Sequence, residues 1–172
     1  MKTILALLSL TFTFGTSECA NEKYPTRLAL SQDAVFKQIL KNKPTIDKKL
    51  AKKLTVSIRK YAKFYEMDPH RAVAIAMQET GFRNVVVKHP NGAKDYGMFQ
   101  INSATANYYG IDKARIIQDI DYAVHTYFII MKDKKKLCRY LDKDAWSCYH
   151  SKKPSLRTKY KKLVNKYYIA NF

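Results

Sequence analysis

The sequence predicts a mainly α-helical domain with a small β hairpin set into it, and three observations carry that reading. Apolar residues recur at three- and four-residue spacing along most of the 172 residues, which is the period of one buried helical face. Helix start and stop signals bracket these stretches, the strongest being Asp68-Pro69 at one end and Gly81 at the other. Between Phe82 and Asn102 the pattern breaks, and β-prone residues and a turn signal take its place. No repeat, low-complexity tract or Pro/Gly/Ser-rich linker divides the chain, so one domain is expected, long enough to bury one sizeable core.

The first segment reads as an export signal. Met1-Lys2 gives a short positive start, Ile4 to Phe14 is apolar apart from Ser and Thr, and Gly15, Thr16 and Ser17 are small. Residues 1–19 are therefore assigned to the signal, with cleavage after Ser17 or after Cys19, and 20–172 to a single domain. The apolar run is too short to span a bilayer, and no later stretch approaches the roughly 20 residues required, so no stable membrane anchor is expected. Cys19 invites a lipid anchor, but Glu18 occupies the place where such sites need a small residue.

Each helix then has its own justification. Ser31 can cap a short helix reaching about Lys41, and Pro44 separates it from the next. From Thr45, Ile46, Leu50, Leu54, Ile58, Tyr61 and Tyr65 form one apolar face. Asp68 is an N-cap with proline in the first turn behind it, and the helix it starts carries Ala72, Ile75, Ala76 and Glu79 before stopping at Gly81. Val85-Val86-Val87 supplies one strand, Asn91-Gly92 the hairpin turn, and Tyr96 to Ile101 the returning strand. Ser103 is the next cap and Gly110 the next stop, followed by a longer helix from about Asp119 to Lys136 with Ala123, Tyr127, Ile130 and Met131 inward. Two final helices are expected, one starting near Asp142 and one after Pro154.

The chain carries 32 Lys and Arg against 14 Asp and Glu, a formal charge of +18 that suggests an anionic partner. No zinc finger, RRM-type aromatic box or heptad-backed basic region is present, so nucleic acid is not expected. The lysines are spread along the chain, and lysine-rich solvated helix faces account for much of the charge. Export makes Cys138 and Cys148 a disulfide pair closing a short loop; a metal site competes, but no His lies at ligand spacing, and two buried thiols remain the plain alternative. No metal and no cofactor are called for.

Glu79 is the first chemical candidate. It sits in the last turn of an apolar helix, where the negative end of the helix dipole and partial desolvation both disfavour ionisation. A carboxyl so placed can hold its proton near neutral pH and give it to a glycosidic oxygen. Asp95 follows inside Asp95-Tyr96-Gly97-Met98-Phe99-Gln100-Ile101-Asn102, where Gly97 permits close backbone approach and Gln100 and Asn102 present amides. An acid at a helix end facing a strand with a carboxylate and amides is a layout suited to sugar cleavage, though an ordinary Asp-Tyr-Gly turn would read the same way.

Gln78-Glu79-Thr80-Gly81-Phe82, the Asp95–Asn102 stretch and Ala145-Trp146-Ser147-Cys148-Tyr149-His150-Ser151 together resemble the lysozyme-like superfamily, closest to its soluble-lytic-transglycosylase (SLT) domain. Tyr-His-Ser in the third motif resembles the small enzymes that accompany type III and type IV secretion systems, as do the following Pro154, Arg157 and Tyr160. The resemblance covers roughly Ala62 to Val164. It implies an α+β lysozyme-like fold with the hairpin beside an active-site cleft, and a cut between N-acetylmuramic acid and N-acetylglucosamine that leaves a 1,6-anhydro end. By the same resemblance Glu79 is the single acid/base, Thr80, Tyr96, Met98, Gln100 and Asn102 line the cleft, Tyr149 turns its hydroxyl toward Glu79, and His150 is a candidate substrate contact. The implied partner is peptidoglycan, with a type IV or type III secretion apparatus as the setting, and the protein is expected to be a periplasmic or exported monomer.

Asp95 keeps a second outcome open. In animal lysozymes of similar strand pattern it is the second carboxylate that supports hydrolysis, and Asp95 stands as that candidate here. The late Tyr149-His150-Ser151 element and the paucity of cysteines favour cleavage without water. A non-catalytic wall-binding protein would have little need of Glu79, and a membrane-active cationic protein would need a segregated basic amphipathic helix that the sequence lacks.

Overall fold

The computed structural model describes residues 33–168. The expected signal segment with its two cleavage points, Cys19 and Ser31 lie outside the described residues. The first helix, α1 (Ala34–Asn42), is capped by Asp33 in place of the expected Ser31, its Oδ1 accepting from the Val35 and Phe36 amides at 2.8 and 3.2 Å. Past Pro44, Asp47 accepts from the Leu50 amide, so α2 (Lys48–Tyr65) starts three residues later than Thr45 suggests. Leu54 and Ile58 on its inner face are fully buried.

Helix α3 (Pro69–Thr80) forms as expected, with Asp68 accepting from the His70 amide at 2.8 Å and Pro69 in the first turn. Its body, Ala72 to Ala76, is entirely buried. Gly81 closes it in the left-handed region (φ 61°), its amide donating to Met77 O at 2.9 Å.

The hairpin is a three-stranded antiparallel sheet in the order β1 (Val86–Lys88), β2 (Lys94–Tyr96), β3 (Ile101–Asn102). Val86 faces Tyr96, and Asp95 faces both Val87 and Asn102. The expected continuous strand from Tyr96 to Ile101 is broken because the chain turns at Gly97 (φ 72°) and again at Gln100 (φ 49°), with the Gln100 amide donating to Gly97 O. Gly97 is required there: an added Cβ would stand 2.5 Å from Ile116 Cγ2.

Asn102, not Ser103, caps α4 (Ser103–Tyr108), accepting from the Ala104 amide at 3.0 Å, while the Ser103 hydroxyl accepts from the Lys94 amide. Asp112 then starts a short helix that periodicity does not mark, α5 (Lys113–Gln118), and Asp119 caps the long α6 (Ile120–Leu137) as expected. The expected helix near Asp142 is a 3₁₀ run, Arg139–Tyr149, interrupted at Asp142 itself (φ 49°, ψ −124°). Cys138, immediately before that run, is joined by a disulfide to Cys148 near its end. Helix α7 (Pro154–Asn165) follows, with proline in its first turn. The core lies where α2, α3 and α6 meet, and Phe99 from the turn after β2 is driven into it, stacked on Tyr127 at 4.2 Å. No helix among the described residues is long and apolar enough to cross a membrane.

Candidate active site

The last turn of α3 carries Glu79 to the edge of the core, and α7 brings Tyr160 against it. The Tyr160 hydroxyl donates to Glu79 Oε1 at 2.6 Å. Burial, opposed by that hydrogen bond and assisted by the like charge of Asp95, pushes the Glu79 carboxyl from an ordinary 4.5 up to about 7. Burial and then the Glu79 charge hold the Tyr160 hydroxyl well above its ordinary range, so it remains a donor. Its ring is itself fixed: His150 stacks on it at 4.7 Å with 10° between planes, and Trp146 lies tilted at 6.1 Å. His150 is exposed beyond that stack.

Tyr149 has a different partner from the one expected. Its hydroxyl donates to Phe99 O at 2.8 Å, tying the 3₁₀ run to the turn below the sheet. Burial and the Glu79 charge raise its pKa too, so it shares the carboxyl's electrostatic surroundings without bonding to it. Tyr160, 81 residues from Glu79 in sequence, is the hydroxyl partner; in the sequence it stands out only as part of a trailing motif.

The floor of the site is held by backbone-directed bonds. The buried Thr80 hydroxyl donates to Met98 O at 3.2 Å, joining the end of α3 to the turn after β2. The Met98 side chain is 1% exposed and belongs to the core rather than to an open cleft wall. Its amide is positioned by Asn84, which donates in turn to Ile116 and Ile117 carbonyls. The Gln100 side-chain amide donates to Gly97 O at 2.7 Å, closing the turn, and Gln100 and Tyr96 are both half-buried.

Asp95 sits on β2 with both oxygens occupied. Oδ1 accepts from Asn102 Nδ2 at 2.8 Å, and Oδ2 lies 2.7 Å from His89 Nε2. Asn102 thus uses its amide nitrogen on Asp95 and its oxygen on the α4 cap. His89, at the hairpin end of β1, is a site residue that sequence reasoning misses; its place in the loop of a hairpin whose returning strand holds Asp95 is the available signal. Among the described residues no group of three or more His, Cys, Asp or Glu is arranged to hold a metal ion.

This arrangement offers one half-buried carboxyl able to give and retake a proton near neutral pH, beside a second carboxylate engaged by two neighbours. The family model described as the transglycosylase SLT domain matches residues 56–126, from the middle of α2 into α6, which includes Glu79 and the whole sheet. No curated protein and no solved structure matches the chain. The third motif and Tyr160 lie beyond the matched stretch, yet the structure packs both against it. Residues 56–126 thus match the transglycosylase SLT domain, and the mainly helical fold with its small antiparallel sheet is consistent with a lysozyme-like architecture.

Proposed function

We propose that the protein is an exported peptidoglycan lytic transglycosylase, residues 20–172 forming its single domain, that cuts between N-acetylmuramic acid and N-acetylglucosamine. The observation that carries this reading is Glu79, raised to about 7 by burial while one of its oxygens receives the Tyr160 hydroxyl. The protonated carboxyl gives its proton to the glycosidic oxygen as the C1–O bond breaks. The carboxylate left behind takes the proton of the muramoyl O6 hydroxyl as O6 closes onto C1. The donor is restored, no water is consumed, and a 1,6-anhydro end remains. The substrate's own N-acetyl group shields the positive charge at C1 between the two steps.

In this reading Tyr160 and the ring stack of His150 orient Glu79, and Tyr149 fixes the turn that faces it. Thr80, Met98 and Asn102 act as positioning residues, leaving Tyr96, Gln100 and the outer edge of His150 to meet the sugar. The engagement of Asp95 by His89 and Asn102 supports a single working carboxyl. One observation favours the hydrolytic alternative: Asp95 is close enough for its charge to raise the pKa of Glu79. The resemblance of the Tyr149-His150-Ser151 motif to the small enzymes that accompany secretion systems supports local opening of the wall for such an apparatus.

Digestion of purified peptidoglycan with the wild type and with Glu79→Gln, followed by mass spectrometry of the fragments, tests the reading. Anhydro ends that disappear in the variant are expected. Reducing ends lost in Asp95→Asn would instead make the enzyme a hydrolase, and equal release by wild type and Glu79→Gln would remove Glu79 from the mechanism.

A further inference from the structure

A groove of about 890 Å³ runs between α4 and the junction of α6 with the 3₁₀ run, and Glu79 does not line it. Eight large apolar side chains are exposed among the described residues, and three of them, Tyr108 (83%), Tyr140 (69%) and Leu137 (57%), line this groove. Scattered exposed apolar residues are normal, but three gathered in one concavity mark a binding surface. Tyr108 and Tyr109 stand edge to face at 4.9 Å, forming one wall.

The groove is also cationic. Lys134, Lys136 and Arg139 line it and form no ion pair among the described residues. The one lining carboxylate, Asp133, already accepts the Tyr109 hydroxyl at 2.9 Å. The opposite wall is pinned, because Cys138 lies between Leu137 and Arg139 and is tied to Cys148. The groove starts beside the candidate site: α4, which supplies Tyr108, begins directly after Asn102, the residue that holds Asp95.

Apolar tyrosine faces between free cations, in a preformed slot of peptide size, fit a short chain that carries both small apolar groups and carboxylates. We propose that this groove is a second, non-catalytic binding site for the carboxylate-bearing peptide stems of the polymer whose glycan is cut at Glu79. The assignment rests on the proposed function for the identity of that polymer. It gives part of the chain's positive charge a local role, since stems held here keep a strand in register with the cut and raise its effective concentration there.

The test compares retention of the full protein on intact peptidoglycan sacculi and on sacculi stripped of stems by an amidase. Wild type is compared with Lys134→Glu/Lys136→Glu and with Tyr108→Ser/Tyr140→Ser, all surface changes. Preference of wild type for intact sacculi is expected, falling about tenfold in the lysine variant, the scale of losing two partly exposed ion pairs, and falling also in the tyrosine variant through lost apolar contact. Cutting of stem-free glycan strands should stay at the wild-type rate. Variants that keep the preference, or that lose retention equally on intact and stripped sacculi, overturn the proposal. So does self-association of the wild type that the tyrosine variant abolishes, which would give the groove to a second copy. If no protein cuts stem-free glycan but the stem preference and its loss persist, the groove stands and the proposed reaction fails.

Discussion

Glu79→Gln should stabilise the protein while abolishing cutting, and the gain should depend on pH. In the unfolded chain this carboxyl titrates near 4.5, and in the fold it titrates near 7. Below the lower value both states are protonated and the group contributes no pH dependence. Between the two values the unfolded chain releases its proton and the native state does not, so native stability falls as pH rises. Above about 7 the full cost is expressed. The difference of roughly 2.5 pKa units corresponds to about 3 kcal/mol. Glutamine keeps an acceptor for the Tyr160 hydroxyl and cannot ionise, so it escapes that cost. Thermal unfolding of both proteins should give nearly equal midpoints at pH about 4. By pH about 8 the variant should lead by roughly 6–12 °C, taking about 2–4 °C per kcal/mol for a domain of this size. A gap that does not change with pH, or a variant less stable in alkali, would refute the argument that burial keeps this carboxyl protonated.

Two further substitutions should move the alkaline limb of the activity profile in opposite directions. Tyr160→Phe removes the hydrogen bond that lowers the Glu79 pKa, so activity should persist to higher pH, at a stability cost of about 1 kcal/mol. Asp95→Asn removes a like charge and should draw the same limb to lower pH; a limb that shifts against its stated direction in either variant would contradict that variant's assignment. Gly97→Ala should lose about 2–3 kcal/mol in urea titrations, since its φ of 72° and the buried Ile116 methyl at 2.5 Å leave no room for a Cβ. Replacing Cys138 and Cys148 by Ser opens a loop of sequence separation 10, for which chain entropy gives about 3 kcal/mol. An unchanged thermal midpoint would show that the 3₁₀ run is held by packing alone.

The features that are legible in the sequence are those whose determinants are local. Asp68, Pro69 and Gly81 fix both ends of α3 within their own turns, and Glu79 follows from them. The misread features depend on contacts between distant segments. Tyr96 to Ile101 has the composition of a strand, but Phe99 gains more by entering the core against Tyr127 than by lying on a sheet, and the glycine before it permits the turn. Ser103 looks like a cap, yet Asn102 reaches the Ala104 amide and leaves the serine to β2. Tyr160 cannot be assigned to Glu79 from spacing, because 81 residues and the docking of α7 separate them. The short helix after Asp112 is visible in principle through its cap, but six residues are too few to display a helical period.

The acidic side chains show why Glu79 stands out in a chain of charge +18. Asp33, Asp47, Asp68, Asp112 and Asp119 each cap a helix. Asp133 accepts from Tyr109 and Asp144 pairs with Lys161. Asp121 is desolvated, but bonds from Tyr61, Ser57 and Lys60 outweigh that and pull its pKa down, so its charge is accommodated by the fold. Asp95 is bonded on both oxygens. Glu79 is the contrary case: its one hydroxyl donor only partly offsets burial, and the ionised form costs stability at neutral pH. A fold that gives these aspartates partners but keeps Glu79 in an environment favouring the proton has retained a locally unfavourable group. Such violations concentrate where chemistry requires them. The same imbalance that makes Glu79 a poor structural residue at neutral pH is what fits it to donate a proton and take one back.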